Sequence, residues 1–210
     1  MPGTGFETLV VASGNAGKLR ELGALLRPLG FCIKPQSDWA VPAAEENAQT
    51  FVENALLKAR HAARLTGCAA IADDSGLVVP ALGGVPGIRS ARYAGLDASD
   101  ADNNRKLLES MAALSGAERQ AFFYCAMVFL RTHDDPVPII ACAHWWGEIT
   151  DAPRGRGGFG YDPLFRVPGE GCTSAELDAE AKNRLSHRGQ AARQLRSMLA
   201  AGREWQGAGA

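Results

Sequence analysis

Ala69-Ala70-Ile71-Ala72-Asp73-Asp74-Ser75-Gly76-Leu77 decides how this chain is read, because an apolar run there meets two adjacent carboxylates. The pattern predicts a short buried strand over 69–72, a tight turn through Asp73 to Gly76, and extended chain again from Leu77 to Leu82. Asp-Asp-Ser-Gly is ordinary turn chemistry. Carboxylates at a strand end, with Gly76 freeing the backbone to bend, are also a good place to hold a hard divalent cation. Both readings fit this stretch taken alone.

Upstream, Thr8 to Ser13 reads as a short buried strand, and Leu19, Leu22, Leu26 and Leu29 then recur at helical spacing. Phe31 to Lys34 predicts a second strand, followed by an acidic loop from Val41 to Gln49 and an Ala-rich helix from Thr50 to Leu65. Downstream, the segment from Gly83 to Gly95 is glycine-rich, and a helix is expected from Ser99 to Leu114. Two β-rich runs, Ala121 to Arg131 and Val137 to Ile149, flank the turn Thr132-His133-Asp134-Asp135-Pro136 and read as an antiparallel hairpin. Pro153 to Pro168 is dense in Gly and Pro. A last helix is expected from Asn183 to Ala201, with a frayed tail from Gly202. These elements predict a mixed α/β fold, with 1–210 as one domain and an ordered core over 6–201.

At 210 residues such a chain buries about 70% of its unfolded surface and needs no staples. A net charge of −1 argues against a general polyanion-binding surface, so no nucleic-acid partner is expected. The five cysteines are scattered singly, without zinc spacing, and read as thiols of a protein in a reducing cytoplasm. No apolar run is long enough for a membrane helix, and no membrane partner is expected. Only five of the 22 basic residues are lysines, and Lys18, Lys58 and Lys182 all fall in the motifs below. A compact ammonium suits a phosphate oxygen.

Ser13-Gly14-Asn15-Ala16-Gly17-Lys18 lies between a predicted strand and helix, which turns backbone N–H groups and a positive helix end toward the loop. Phosphate is the natural occupant, although Leu19 stands where a Walker A loop carries its hydroxyl. Asn54 and Lys58 are four apart on one helix face, and Glu45 and Glu46 supply loop carboxylates that could complete a magnesium site with Asp73 and Asp74. Gly158-Phe159-Gly160-Tyr161-Asp162-Pro163 joins backbone freedom to two aromatics and an acid, a way to lay a ring on a planar base. Lys182, Arg184, His187 and Arg188 cluster at the expected start of the last helix, where cations oppose the dipole unless an anion or base edge is near. No serine or cysteine nucleophile with a partner histidine is evident.

Taken in order, Ser13 to Lys18, Phe51-Val52-Glu53-Asn54-Ala55, Ala72 to Leu77, Pro86-Gly87-Ile88-Arg89-Ser90-Ala91-Arg92-Tyr93, Gly158 to Pro163 and Ser186-His187-Arg188 resemble the inosine triphosphate pyrophosphatase family over about residues 8 to 200. The resemblance implies an elongated mixed sheet with flanking helices, in two lobes around a central nucleotide-binding cleft, and a homodimer. It implies Mg²⁺-dependent hydrolysis of ITP, dITP and XTP to the monophosphate and pyrophosphate, which cleanses the nucleotide pool. Carried over by position, Ser13, Gly14, Asn15, Ala16, Gly17 and Lys18 bind the triphosphate, and Glu45 and Asp74 hold magnesium, with Glu46 and Asp73 as alternates. Asp74 also activates the attacking water. Lys58 neutralises phosphate, Ser75 touches the nucleotide, Phe159, Gly160, Tyr161 and Asp162 cradle the base, and Lys182, His187 and Arg188 read its 6-keto edge. The rival readings are a related pyrophosphatase acting on modified pyrimidine nucleotides and a non-catalytic nucleotide- or RNA-binding module.

Overall fold

The structure, a computed structural model, describes residues 8–13, 19, 22, 23, 26 and 30–207. Its strands are β1 (Thr8–Val11), β2 (Cys32–Pro35), β3 (Ala69–Val78), β4 (Gln120–Leu130), β5 (Ile139–Ile149) and β6 (Phe165–Arg166). Its helices are α1 (Phe51–Thr66), α2 (Asp100–Ser110), α3 (Ala179–Leu185) and α4 (His187–Gly207). Leu19, Leu22, Gly23 and Leu26 are also helical, and Leu22 and Leu26 are fully buried. The strands form one mixed sheet in the order β2-β1-β3-β4-β5-β6. β1 pairs parallel with β2 and with β3, whereas β5 and β6 are antiparallel, with Ile149 opposite Phe165. The mixed α/β fold class expected from the sequence is therefore observed.

Two compact units divide the chain. The first takes the described residues of Met1–Asp74, Ala126–Cys142 and Arg188–Ala210; the second takes Ser75–Cys125 and Ala143–His187. The chain passes from one unit to the other within β3, β4 and β5. In the first unit Leu9, Val10 and Val11 are fully buried, as a parallel strand with neighbours on both sides must be. Helix α1 starts at a capping box, in which Thr50 Oγ1 accepts from the Glu53 N–H and Glu53 returns to the Thr50 N–H. It stops at Gly67, whose φ of 67° supplies the left-handed C-terminal residue. In the second unit Leu107 and Met111 pack with Phe123, Trp145, Leu164 and Phe165, and α2 starts at a Ser99/Asp102 capping box. Buried Arg119 fastens this unit by donating to the carbonyls of Ile149 at 2.8 Å and Thr150 at 2.9 Å.

Two expectations fail here. Asp73 to Gly76 is not a turn, because β3 runs unbroken from Ala69 to Val78. β3 is anchored by β1 along Ala69–Ile71 and neighboured by β4 on its other side, and cations from other elements meet the two carboxylates, so tertiary context overrides local turn composition. The last helix is likewise interrupted: Asp178 caps α3, the backbone turns extended at Ser186, and α4 begins at His187. Lys182 and Arg184 thus sit in the last turn of α3, where the helix dipole favours cations. Helix α4 also continues to Gly207, past the expected end at Ala201.

Candidate active site

Alternation along β3 sends Asp73 and Asp74 to opposite faces of the sheet. Asp74 is buried, at 7% exposure. Its Oδ2 accepts from Asn54 Nδ2 at 3.2 Å, and its Oδ1 accepts from Lys58 Nζ at 3.1 Å. One face of α1 therefore delivers both donors. Asn54, at 1% exposure, also accepts the Ala48 N–H on its Oδ1 at 3.1 Å. That bond fixes which way the amide points, so Nδ2 is the atom left to face Asp74. Lys58 Nζ lies 3.4 Å from Glu46 Oε1, and His61 Nε2 lies 3.0 Å from the Pro42 carbonyl. Helix α1 thus ties the acidic loop down at Pro42, Glu46 and Ala48 while holding Asp74.

Burial raises the Asp74 carboxyl above its ordinary value; Lys58 works against this and the charge of Glu46 adds to it. Burial opposes the charge of Lys58, but Asp74, Asp73 and Glu46 outweigh it and hold the ammonium above its ordinary value. A carboxylate made more basic by its surroundings, yet kept ionised by an adjacent cation, has the character of a proton acceptor. Among the described residues, no group of three or more His, Cys, Asp and Glu side chains is placed to hold a metal ion. Magnesium, however, takes one or two protein carboxylates and fills its other positions with water and substrate phosphate. The hard oxygen donors of Glu46 and Asp74, with exposed Glu45 adjoining in the loop, fit that demand.

In the second unit the loop around Phe159 is built on Asp162, which is 4% exposed. Its carboxylate accepts from the Phe159 N–H at 2.8 Å, from Ser174 Oγ at 2.8 Å and from Lys182 Nζ at 2.5 Å. The same ammonium stands 5.2 Å from the centre of the Phe159 ring, a cation–π distance. Tyr161 donates its hydroxyl to the Ser90 carbonyl at 2.9 Å, and burial pushes its phenol well above the usual range. His187 stacks on Phe123, with ring centres 4.8 Å apart and planes at 11°. Gly158 has φ +75°, and a Cβ there would stand 2.1 Å from Asp162 Oδ2 and 2.8 Å from Lys182 Nζ. Gly158→Ala is expected to break the Asp162–Lys182 pair and, if this loop seats a base as the sequence resemblance implies, to raise KM about tenfold with kcat nearly unchanged. Initial rates across substrate concentration check this, and a variant with wild-type KM would dissociate that pair from binding.

The remaining sequence candidates take these places. Gly14, Asn15, Ala16, Gly17 and Lys18 lie outside the described residues. Ser13 is half-buried at the end of β1, its N–H bonded to the Val11 carbonyl at 3.0 Å. Ser75 is partly buried in β3. Asp73 is engaged on its own face by Arg188, whose Nε donates to Asp73 Oδ2 at 3.3 Å. The structure gathers Glu46, Asn54, Lys58 and Asp74 in the first unit, and Phe159, Asp162 and Lys182 in the second. Ser174 was not legible beforehand, because a lone serine in a Gly-rich segment carries no signal. Asn54 had one, as a polar residue four before Lys58 on the same helix face.

A model of the Ham1 family matches residues 9–198. A dITP/XTP pyrophosphatase of Shigella flexneri is 55% identical over 194 residues, covering 92% of this chain and 98% of the relative. A dITP/XTP pyrophosphatase of Chromobacterium violaceum is 55% identical over 196 residues, covering 93% and 98%. Among solved structures, a HAM1 protein from Coxiella burnetii superposes with a TM-score of 0.88 at 48% identity, covering 93% of this chain and all of that one.

Proposed function

The chain belongs to the Ham1 family, and from that premise we propose that it hydrolyses the non-canonical purine nucleotides ITP, dITP and XTP to the monophosphate and pyrophosphate, with Mg²⁺ as cofactor. The relatives named dITP/XTP pyrophosphatase support this substrate class. The observation that carries the proposal is the buried Asp74 carboxylate, held between Asn54 and Lys58 beside Glu46. Asp74 takes the proton of the water that attacks the innermost phosphorus. Lys58 offsets negative charge on the phosphates, and Asn54 keeps the carboxylate aimed. Glu46 and Asp74, with Glu45 beside them, would hold magnesium, which when bound lowers the pKa of water and neutralises the phosphates. Ser13 to Lys18 bind the triphosphate, and Ser75 contacts the nucleotide.

For the base, the Phe159 ring supplies the support, Gly160, Tyr161 and Asp162 shape its seat, and Lys182, His187 and Arg188 present donors to a 6-oxo group. Adenine carries an amino group there and would leave buried donors without acceptors, at about 1–3 kcal/mol each. Rejection of guanine then rests on its 2-amino group. A homodimer in the cytoplasm completes the proposal.

Pyrophosphate release from ITP, dITP, XTP, GTP, ATP and modified pyrimidine nucleotides, each with Mg²⁺ and with chelator, tests it. Release from the first three alone, abolished by chelator, is the expected result. Preference for the modified pyrimidines would move the chain to a different pyrophosphatase class. Nucleotide affinity that survives chelation with no product would make it a binding module.

A further inference from the structure

The backbone around Phe159 is fixed from outside its own loop. The Gly160 N–H donates to Asp100 Oδ2 at 2.7 Å, and the Gly160 carbonyl accepts from Asn104 Nδ2 at 3.0 Å. Asp100 and Asn104 are four apart, so one face of α2 takes both polar backbone groups of this single residue. On either side the chain is tied as well, through the Phe159 N–H to Asp162 and the Tyr161 hydroxyl to Ser90. Phe159 itself remains 37% exposed. The ring is therefore the open part of a segment whose backbone is held at consecutive residues.

Helix stability accounts for only part of these two side chains. The capping of α2 is already supplied by Ser99 and Asp102, each bonding the other's N–H. Asp100, in the same first turn, complements the helix dipole and in addition directs Oδ2 to the Gly160 N–H. Its bond to Gly160 is solvent-exposed, and an exposed hydrogen bond adds little to folding. Asn104 turns its Nδ2 to Gly160 while its buried Oδ1 has no hydrogen-bond partner among the described residues. An apolar residue would suit the fold better than a half-satisfied amide. What both groups accomplish is orientation of a short loop that ends in an exposed aromatic ring.

We infer that Asp100 and Asn104 are positioning residues that clamp Gly160 and so hold the Phe159 ring ready for a purine base. This rests on the nucleotide reading above. A loop ordered in advance loses less freedom when the base arrives, so the clamp acts on binding and not on the chemical step.

The test compares Asp100→Ala, Asp100→Asn and Asn104→Ala with wild type, measuring pyrophosphate release from ITP and hydrogen exchange at the Gly160 amide. The alanine variants should raise KM by about five- to twentyfold with kcat within about twofold. Asp100→Asn keeps an acceptor at that position and should stay near wild type. Exchange at Gly160 should quicken in Asp100→Ala. Made in a Phe159→Ala background, the same changes should have almost no further effect on KM, since a clamp acting through the ring is silent once the ring is gone. Unchanged KM in the alanine variants, a fall in kcat at constant KM, or a full KM effect surviving in Phe159→Ala would overturn the inference. Wild-type protein releasing no pyrophosphate would instead sink the functional reading, and Gly160 exchange then still decides whether Asp100 holds the loop.

Discussion

Asp74→Asn is expected to lower kcat by about 10³-fold, within the range of a general base removed from a positioned water, while KM changes little. The amide keeps the size of the carboxylate but cannot accept the proton. Stability should change far less, by about 1 kcal/mol, because two terms oppose. Asn at this position can satisfy only one of the two donors that Asp74 accepts, Asn54 Nδ2 and Lys58 Nζ. Against that, burial already disfavours the charged carboxylate. The sign follows from linkage: the folded-state value is raised, so the folded protein holds this proton more tightly, and stability falls as pH rises through that raised value. The variant lacks the titration and should show a flatter stability curve across the mildly acidic range. Steady-state pyrophosphate release and thermal melts from pH 4 to 8 check both halves, and retention of a tenth of the wild-type rate would remove Asp74 from the central role.

Legibility in the sequence followed the range of the interactions involved. Strand β1, helix α1 with its Thr50 and Glu53 box, helix α2 with Ser99, and the runs that became β4 and β5 are set by local periodicity and capping, and each lies within a few residues of its expected bounds. Asp73 to Gly76 went wrong for the complementary reason. Its turn composition is local, whereas Lys58 and Arg188, which meet the two carboxylates, are 16 and 115 residues away. The break at Ser186 was hidden because Leu185, Ala192, Leu195 and Leu199 keep a helical spacing across it. Among the site candidates, Asp74 and Lys58 of the first unit and Phe159, Asp162 and Lys182 of the second stood out through the order of the motifs around them. Ser174, Asp100 and Asn104 did not, since the last two reach Gly160 across 60 and 56 residues of chain and belong to no motif.

Replacing Lys58 should reveal how much of the behaviour of Asp74 is imposed by its neighbour. Lys58→Met keeps the length and apolar stem while removing the ammonium that stands 3.1 Å from Asp74 and 3.4 Å from Glu46. Lys58 lowers the Asp74 value both by its charge and by its hydrogen bond, whereas burial and Glu46 raise it. With the cation gone only the Asn54 hydrogen bond still opposes burial and Glu46, so the Asp74 carboxyl moves further up and is protonated over more of the acidic range. The acid limb of the kcat profile should therefore shift to higher pH, and kcat on its plateau should fall by about 10²-fold because charge on the phosphates loses a compensating cation. Stability supplies an independent reading. A carboxyl whose folded value has risen further contributes less as pH increases through that value, so the variant should lose more thermal stability relative to wild type at pH 8 than at pH 5. An acid limb that stays in place in Lys58→Met, with melting temperatures displaced equally at both pH values, would show that Asp74 is tuned by its burial and by Asn54 alone.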